Sequence, residues 1–330
     1  MKKIVVFGGG GYLGNVLSPM LSNRGDSVTV VDTFWYKGTP NTPRNNLKYI
    51  KLDILTLESK GVEFNENLFS NAYIVILAGL SLEITKGINE NFTNKINVKS
   101  PKIIVRLANK YNSKRIIFAS SASVYGNESL INVNESTVPN PSNLYSKCKL
   151  KVEKYIFNKV NNKIPTCATR SCTIVGYSPL FRIDLVVNRF AVDSYFKGEI
   201  NVYGGEQMRS CIHIVDISQV YTLLIDAETS KIDGEFFNIV SSKFSILDLA
   251  NIVSNKFNSK INVFPEIKDD RSYEINSNKI QSVLNFSPKI DLDGALTDLY
   301  INLVKGNIKK DNFSYLEETL KIYNNYYYEN

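Results

Sequence analysis

The chain has one histidine, His213, among 330 residues. A histidine metal centre or a Ser-His-Asp triad therefore has little to draw on, and no metal is expected. Its four cysteines, Cys148, Cys167, Cys172 and Cys211, show neither metal-ligand spacing nor a disulfide framework. Reduced thiols and a cytoplasmic location are the expectation. No apolar stretch approaches the roughly 20 residues of a membrane span, so no membrane partner is expected. The opening Met1-Lys2-Lys3 with Ile4-Val5-Val6-Phe7 imitates a signal peptide, but the glycines behind it cut the apolar run short, and a first strand is expected instead. Blocks of like charge are missing as well. The formal charge of +7 is scattered, which suits anionic small ligands and argues against a nucleic-acid partner. There is no internal repeat and no low-complexity linker.

What is present starts at once. Ile4-Val5-Val6-Phe7 breaks into Gly8-Gly9-Gly10-Gly11-Tyr12-Leu13-Gly14, and a second apolar run, Val28 to Val31, ends in Asp32. A buried strand, a tight glycine turn and a helix N-terminus together bring backbone N–H groups up to a pyrophosphate. An acidic residue about 20 positions beyond the glycines accepts hydrogen bonds from a ribose 2′-OH and repels a 2′-phosphate. Gly8, Gly11, Gly14 and Asp32 thus predict NAD rather than NADP.

Apolar runs near 3–7, 27–31, 47–51, 73–78 and 115–119 alternate with helical patterns, with Asn15 to Arg24, Asn94 to Tyr111 and Ser142 to Val160 as the clearest helices. Further strands are expected at 166–171 and at Phe236 to Val240, after a helix near 216–229. This alternation predicts an α/β fold, a doubly wound parallel sheet with crossover helices. Residues 176–212 and 244–330 break it and predict a smaller mixed lobe. The expected division is 1–175 plus about 213–243 for the dinucleotide domain, and about 176–212 plus 244–330 for the lobe. The Tyr-rich run from Tyr323 to Tyr328 reads as a helix with aromatic packing, with a partner surface as the alternative.

Phe118-Ala119-Ser120-Ser121-Ala122-Ser123-Val124-Tyr125-Gly126 follows the fifth strand, and Tyr145-Ser-Lys-Cys-Lys149 opens the next helix. The i, i+4 spacing puts Tyr145 and Lys149 side by side. A neighbouring ammonium favours a tyrosine's phenolate and makes it a usable base. A hydroxyl at the adjacent strand end can share the substrate's proton.

With these motifs in this order, the chain resembles the extended short-chain dehydrogenase/reductase family, the NAD-dependent nucleotide-sugar epimerases and dehydratases. The resemblance runs on through Leu52-Asp53-Ile54, Leu77-Ala78-Gly79, Asn97, Arg170 to Gly176, Arg209 to His213, Phe237-Asn238-Ile239 and Asp270 to Tyr273. It implies a Rossmann sheet with a nucleotide-sugar lobe, and a homodimer formed through the two long helices. Ser121, Tyr145 and Lys149 would be catalytic. Tyr12, Leu13, Asp53, Ile54, Ala78, Gly79 and Asn97 would join the glycines at the cofactor, with Asn97 also supporting the catalytic helix. Ser121, Ser123, Arg209 and Arg271 would meet the substrate, the two guanidinium forks on its diphosphate. His213 would orient its segment. Tyr177, Arg182, Asn188 and Tyr203 are candidates for sugar or base contact.

Departures from the family pattern point to the reaction. Dehydratases of the family carry Asp-Glu after the catalytic hydroxyl, where this chain has Ala122 and Ser123. Decarboxylases carry a glutamate near Ser123. Reductase-epimerases use NADPH and a Cys/His pair, which Asp32 and the sole histidine oppose. The implied activity is a nucleotide-sugar 4-epimerase, with a 4-dehydrogenase that releases the ketone as the alternative and a 4,6-dehydratase behind both. Val175 to Asn188 and Asp270 to Lys279 resemble a bacterial subgroup associated with surface-polysaccharide biosynthesis.

Overall fold

The structure, a computed structural model, describes residues 1–36, 45–126, 130–266, 273–309 and 321. Runs rich in β-branched residues form the strands. β1 (Lys3–Phe7), β2 (Ser27–Asp32), β3 (Leu47–Lys51), β4 (Tyr73–Ile76) and β5 (Arg115–Ala119) come first. β6 (Leu130–Val133), β7 (Thr166–Ser171), β8 (Thr173–Val175), β9 (Glu199–Tyr203) and β10 (Met208–His213) follow. β11 (Phe236–Ile239), β12 (Ser242–Ser245), β13 (Lys260–Phe264) and β14 (Tyr273–Ile275) are the last among the described residues.

Seven strands make one parallel sheet in the order β11-β7-β5-β4-β1-β2-β3, the doubly wound arrangement that the alternation predicts. Strand order reverses between β1 and β4. Connections there leave for opposite faces, which opens a crevice beyond the carboxyl ends of the strands. Leu17 and Leu21 of the helix Gly14–Asn23 and Val220 and Leu224 of the helix Ile214–Asp226 pack on one face, over Ile4, Val6 and Val28. Ile103 and Leu107 of the helix Ser100–Lys110 and Val152 and Ile156 of the helix Leu144–Ile156 pack on the other, over Val5, Phe7 and Ile74. Burial on both faces explains why these strands read as unbroken apolar runs.

Two helices differ from the sequence expectation. The expected helix Asn94 to Tyr111 begins earlier, at Glu90, and carries a π turn over Lys95–Lys99 before Ser100–Lys110. The helix expected to reach Val160 stops at Ile156. Beyond it, the side chains of Asn158 and Asn162 accept the N–H groups of Val160 and Ile164 in Asx turns that compete with helix.

A third core gathers Val175, Phe181, Val187, Ile200, Val202, Phe244, Leu249, Leu296 and Leu299. Around it lie the three-stranded β12-β10-β8 and the pair β13-β9. Ile275, Ile280 and Phe286 instead join the core on the sheet, where β14 pairs with β6. The run Tyr323 to Tyr328 and Arg271 lie outside the described residues. No helix among the described residues is long and apolar enough to cross a membrane.

Candidate active site

Two adjoining clefts open at the carboxyl ends of the sheet, the inner of about 230 Å³ and the outer of about 340 Å³. Gly8, Gly11, Tyr12, Leu13, Gly14, Asp32, Asp53, Ile54, Ala78 and Gly79 all line the inner one. A Cβ at Gly8, whose φ is +80°, would stand 2.5 Å from Ala78 Cα, and one at Gly14 would stand 2.5 Å from Gly9 O. Both glycines are demanded by the protein's own backbone. At Gly11 a Cβ would meet only Gly8 O, at 3.3 Å, so the space beside it is left for a ligand. Asp32 ends β2 with one carboxylate oxygen on Gly10 N and the other on Phe34 N, each at 2.9 Å. Burial pushes its carboxyl above the ordinary range, against the pull of those amide bonds. Asp53 caps the turn Ile54–Ser59 through Leu55 N, 2.8 Å away. A helix N-terminus behind a glycine turn, with a carboxylate at the next strand end, fits the pyrophosphate and ribose of NAD.

The catalytic candidates come together. A capping box between Asn143 and Ser146 starts the helix Leu144–Ile156 and sets Tyr145 in its first turn. One turn on, the buried Lys149 donates from Nζ to Ala119 O at 2.6 Å and lies 5.7 Å from the Tyr145 ring centre. Burial lowers the Lys149 ammonium to about 8, partly opposed by the charge of Glu153. Ser121 caps the turn Ala122–Tyr125 and accepts from both Ser123 N (3.2 Å) and Ser123 Oγ (3.0 Å). Ser121, Ser123, Tyr145 and Arg209 all line the outer cleft.

Ser120, Tyr145, Ser171, Ile174, Arg182 and Ser81 line both clefts and mark the seam between them. Behind the seam, Glu153 binds Arg170 through two bonds, at 3.0 and 2.8 Å, and accepts Ser120 Oγ at 2.6 Å. Arg170 reaches Tyr125 OH at 3.0 Å, and that hydroxyl donates to Asn238 Oδ1 at 2.8 Å. This buried network ties the catalytic helix to the ends of β5, β7 and β11. Arg170 and Asn238 lie within the family motifs; Glu153, the partner of Arg170, lies in none of them, although it stands four residues beyond Lys149.

Two candidates are placed differently from their sequence reading. Asn97 is 2% exposed, and its amide is spent on Leu80, accepting from the backbone N at 2.7 Å and donating to the O at 2.9 Å. It shapes the loop after β4 and is not among the residues that line the inner cleft. Asn188 is wholly buried; its Nδ2 donates to Tyr12 OH and Arg182 O, and its Oδ1 accepts from Gly176 N. A side chain so committed has no reach toward a sugar. Tyr12 OH in turn donates to Gly176 O at 2.5 Å, so this glycine-turn residue is bolted to the segment carrying Arg182. His213 does orient its segment: Nδ1 accepts from Val215 N at 3.3 Å, and Nε2 lies 3.4 Å from Asp298 Oδ2. Arg182 pairs with Asp184 in the outer cleft, and Tyr203 lines it beside Phe264, with ring centres 5.5 Å apart. No group of three or more metal-binding side chains occurs among the described residues.

Fold and clefts together define a dinucleotide-dependent enzyme. The model of the NAD dependent epimerase/dehydratase family matches residues 4–240, and the chain belongs to that family. Among curated relatives, the UDP-glucose 4-epimerase of Lacticaseibacillus casei is 24% identical over 310 residues, 87% of this chain and 92% of that protein. The bifunctional protein GAL10 of Pachysolen tannophilus is 26% identical over 249 residues, 66% of this chain but only 36% of that longer relative. A solved structure of the UDP-glucuronic acid 4-epimerase from Bacillus cereus, in complex with UDP-glucuronic acid and NAD, superposes with a TM-score of 0.78. It is 22% identical, and the match covers 92% of this chain and 99% of that one.

Proposed function

We propose that this chain is an NAD-dependent nucleotide-sugar 4-epimerase. The observation that carries this reading is Tyr145 at the seam of the two clefts, with Lys149 behind it, Ser121 across the strand end, and Ala122 and Ser123 where elimination chemistry would need an acid and a base. The UDP-sugar 4-epimerases among its relatives support a UDP-linked substrate.

Tyr145 as phenolate takes the proton of the sugar 4-OH, and Ser121 holds the same oxygen. Lys149 keeps positive charge beside the phenolate, anchored by Ala119 O. NAD, when bound, supplies the acceptor and later the donor of one hydride. Arg209, 7% exposed and braced on Met208 O at 2.9 Å, holds the diphosphate, and Arg271 is proposed as its partner. With the diphosphate fixed, and with Ala122 and Ser123 unable to serve elimination as acid and base, the ketone would turn over and regain hydride on its other face.

Purified protein offered UDP-, GDP-, CDP- and dTDP-sugars, with mass spectrometry and absorbance near 340 nm, tests this. An isomer without net NADH is the expected result. NADH with a product two mass units lighter would make it a 4-dehydrogenase, and loss of water would overturn the argument from Ala122 and Ser123.

A further inference from the structure

We propose that Ser81 is a substrate-holding residue, whose hydroxyl binds the sugar hydroxyl next to the reacting carbon and retains the transient ketone. This rests on the 4-epimerase reading. Ser81 lines both clefts, as Tyr145 does. It also stands at the N-cap of the short helix Leu82–Thr85, where serine ordinarily accepts an N–H of the first turn, yet its side chain makes no such bond. Its Oγ is shut from water and has no hydrogen-bond partner.

A hydroxyl that neither caps nor is solvated forfeits about 1–3 kcal/mol. Native proteins keep such groups rarely, and a ligand partner is one way the cost is recovered. The backbone around Ser81 is held hard. The buried Asn97 grips Leu80 on both its N–H and its carbonyl, and Ser81 O accepts from Thr85 N at 3.0 Å. Only the rotation about its single χ bond is left, and that rotation carries Oγ between staggered positions.

Among the described seam side chains, Ser81 Oγ alone is both shut from water and without a partner. Ser120 Oγ donates to Glu153, Arg182 is paired with Asp184, and Ile174 has no polar side-chain atom. A serine suits the task because the hydroxyl both donates and accepts. It therefore serves a sugar hydroxyl in either presentation while the ring turns over. It has no acid or base strength to divert the ketone.

The test compares wild type with Ser81→Ala and Ser81→Thr, each loaded with NAD. With UDP-glucose, Ser81→Ala should form epimer about tenfold more slowly and accumulate enzyme-bound NADH at 340 nm as ketone escapes. Ser81→Thr, which keeps the hydroxyl, should restore turnover and remove the NADH signal. NAD affinity by calorimetry should be the same in all three. Ser81→Ala that turns over like wild type without NADH would sink the assignment. If wild type makes no epimer from any sugar nucleotide, the functional reading fails by itself. UDP-glucose affinity of the NADH complexes then decides for Ser81: about three- to tenfold weaker binding in Ser81→Ala sustains it, and equal binding removes it.

Discussion

At Gly8 a methyl group would meet the Ala78 backbone in a φ region that L-residues avoid, whereas at Gly11 it would touch only one carbonyl oxygen. Gly8→Ala is therefore expected to cost at least about 2 kcal/mol of stability, read as a lowered urea midpoint. Gly11→Ala should leave the midpoint within about 0.5 kcal/mol of wild type while weakening NAD at least about tenfold; equal loss of stability at both positions would contradict this division. Lys149 yields a pH prediction. Its folded ammonium is lowered to about 8 from 10.5. Between those values the unfolded chain holds a proton that the native chain has released, so this group makes stability rise with pH across that window. Below about 8 the buried charge is a burden. Lys149→Met should therefore be more stable at pH 7 by roughly 1–3 kcal/mol, lose the rise above pH 8, and turn over at least about 100-fold more slowly. Chemical denaturation at pH 7 and pH 10 checks the sign.

The catalytic helix is positioned by what lies under it. Glu153 and Arg170 are 2% and 4% exposed at the side chain, and they hold the strand ends through Ser120 and Tyr125. Removing one charge of such a pair leaves the other buried and uncompensated. Glu153→Gln is expected to lose about 3–5 kcal/mol, measured by denaturant unfolding, and a loss under about 1 kcal/mol would show that the pair is dispensable. The π turn at Lys95–Lys99 is of the same kind. An extra residue in a helical turn spoils the regular ladder, and π turns are often found at functional sites. Here the turn carries Asn97, whose amide sets the loop from Ala78 to Ser81.

Over the whole molecule, all four cysteines are free and buried, and burial raises each thiol, Cys167 and Cys211 to about 12. Native protein at pH 8 should react with fewer than about one equivalent of a thiol reagent within minutes, while denatured protein should react fully. Self-association through the two long helices is a proposal with a condition attached. Lys95, Lys99, Lys147, Lys151 and Lys154 are exposed on them, while Arg106 is paired with Glu58, and no exposed large apolar side chain among the described residues lies on either. Two copies meeting there would oppose like charges, so the dimer fraction should rise from about 20 mM to about 500 mM NaCl. Sedimentation velocity decides, and dimers that dissolve in salt would place the interface elsewhere.

The glycine turn, the acidic end of β2 and the Tyr145–Lys149 pair were all readable along the chain. Each depends on neighbours within a turn or a strand, and periodicity and spacing report local geometry directly. The alternation of runs likewise implied a parallel sheet, because only crossover helices join parallel neighbours. Nothing in the sequence pairs β14 with β6, Tyr12 with Asn188, or Glu153 with Arg170. Nor does it separate the asparagine that grips Leu80 from one that would touch a cofactor. Those contacts join residues brought together by the winding of the sheet and the closing of the lobe. Their partners were chosen by burial, since a polar group taken out of water must find whatever donor or acceptor the fold sets beside it.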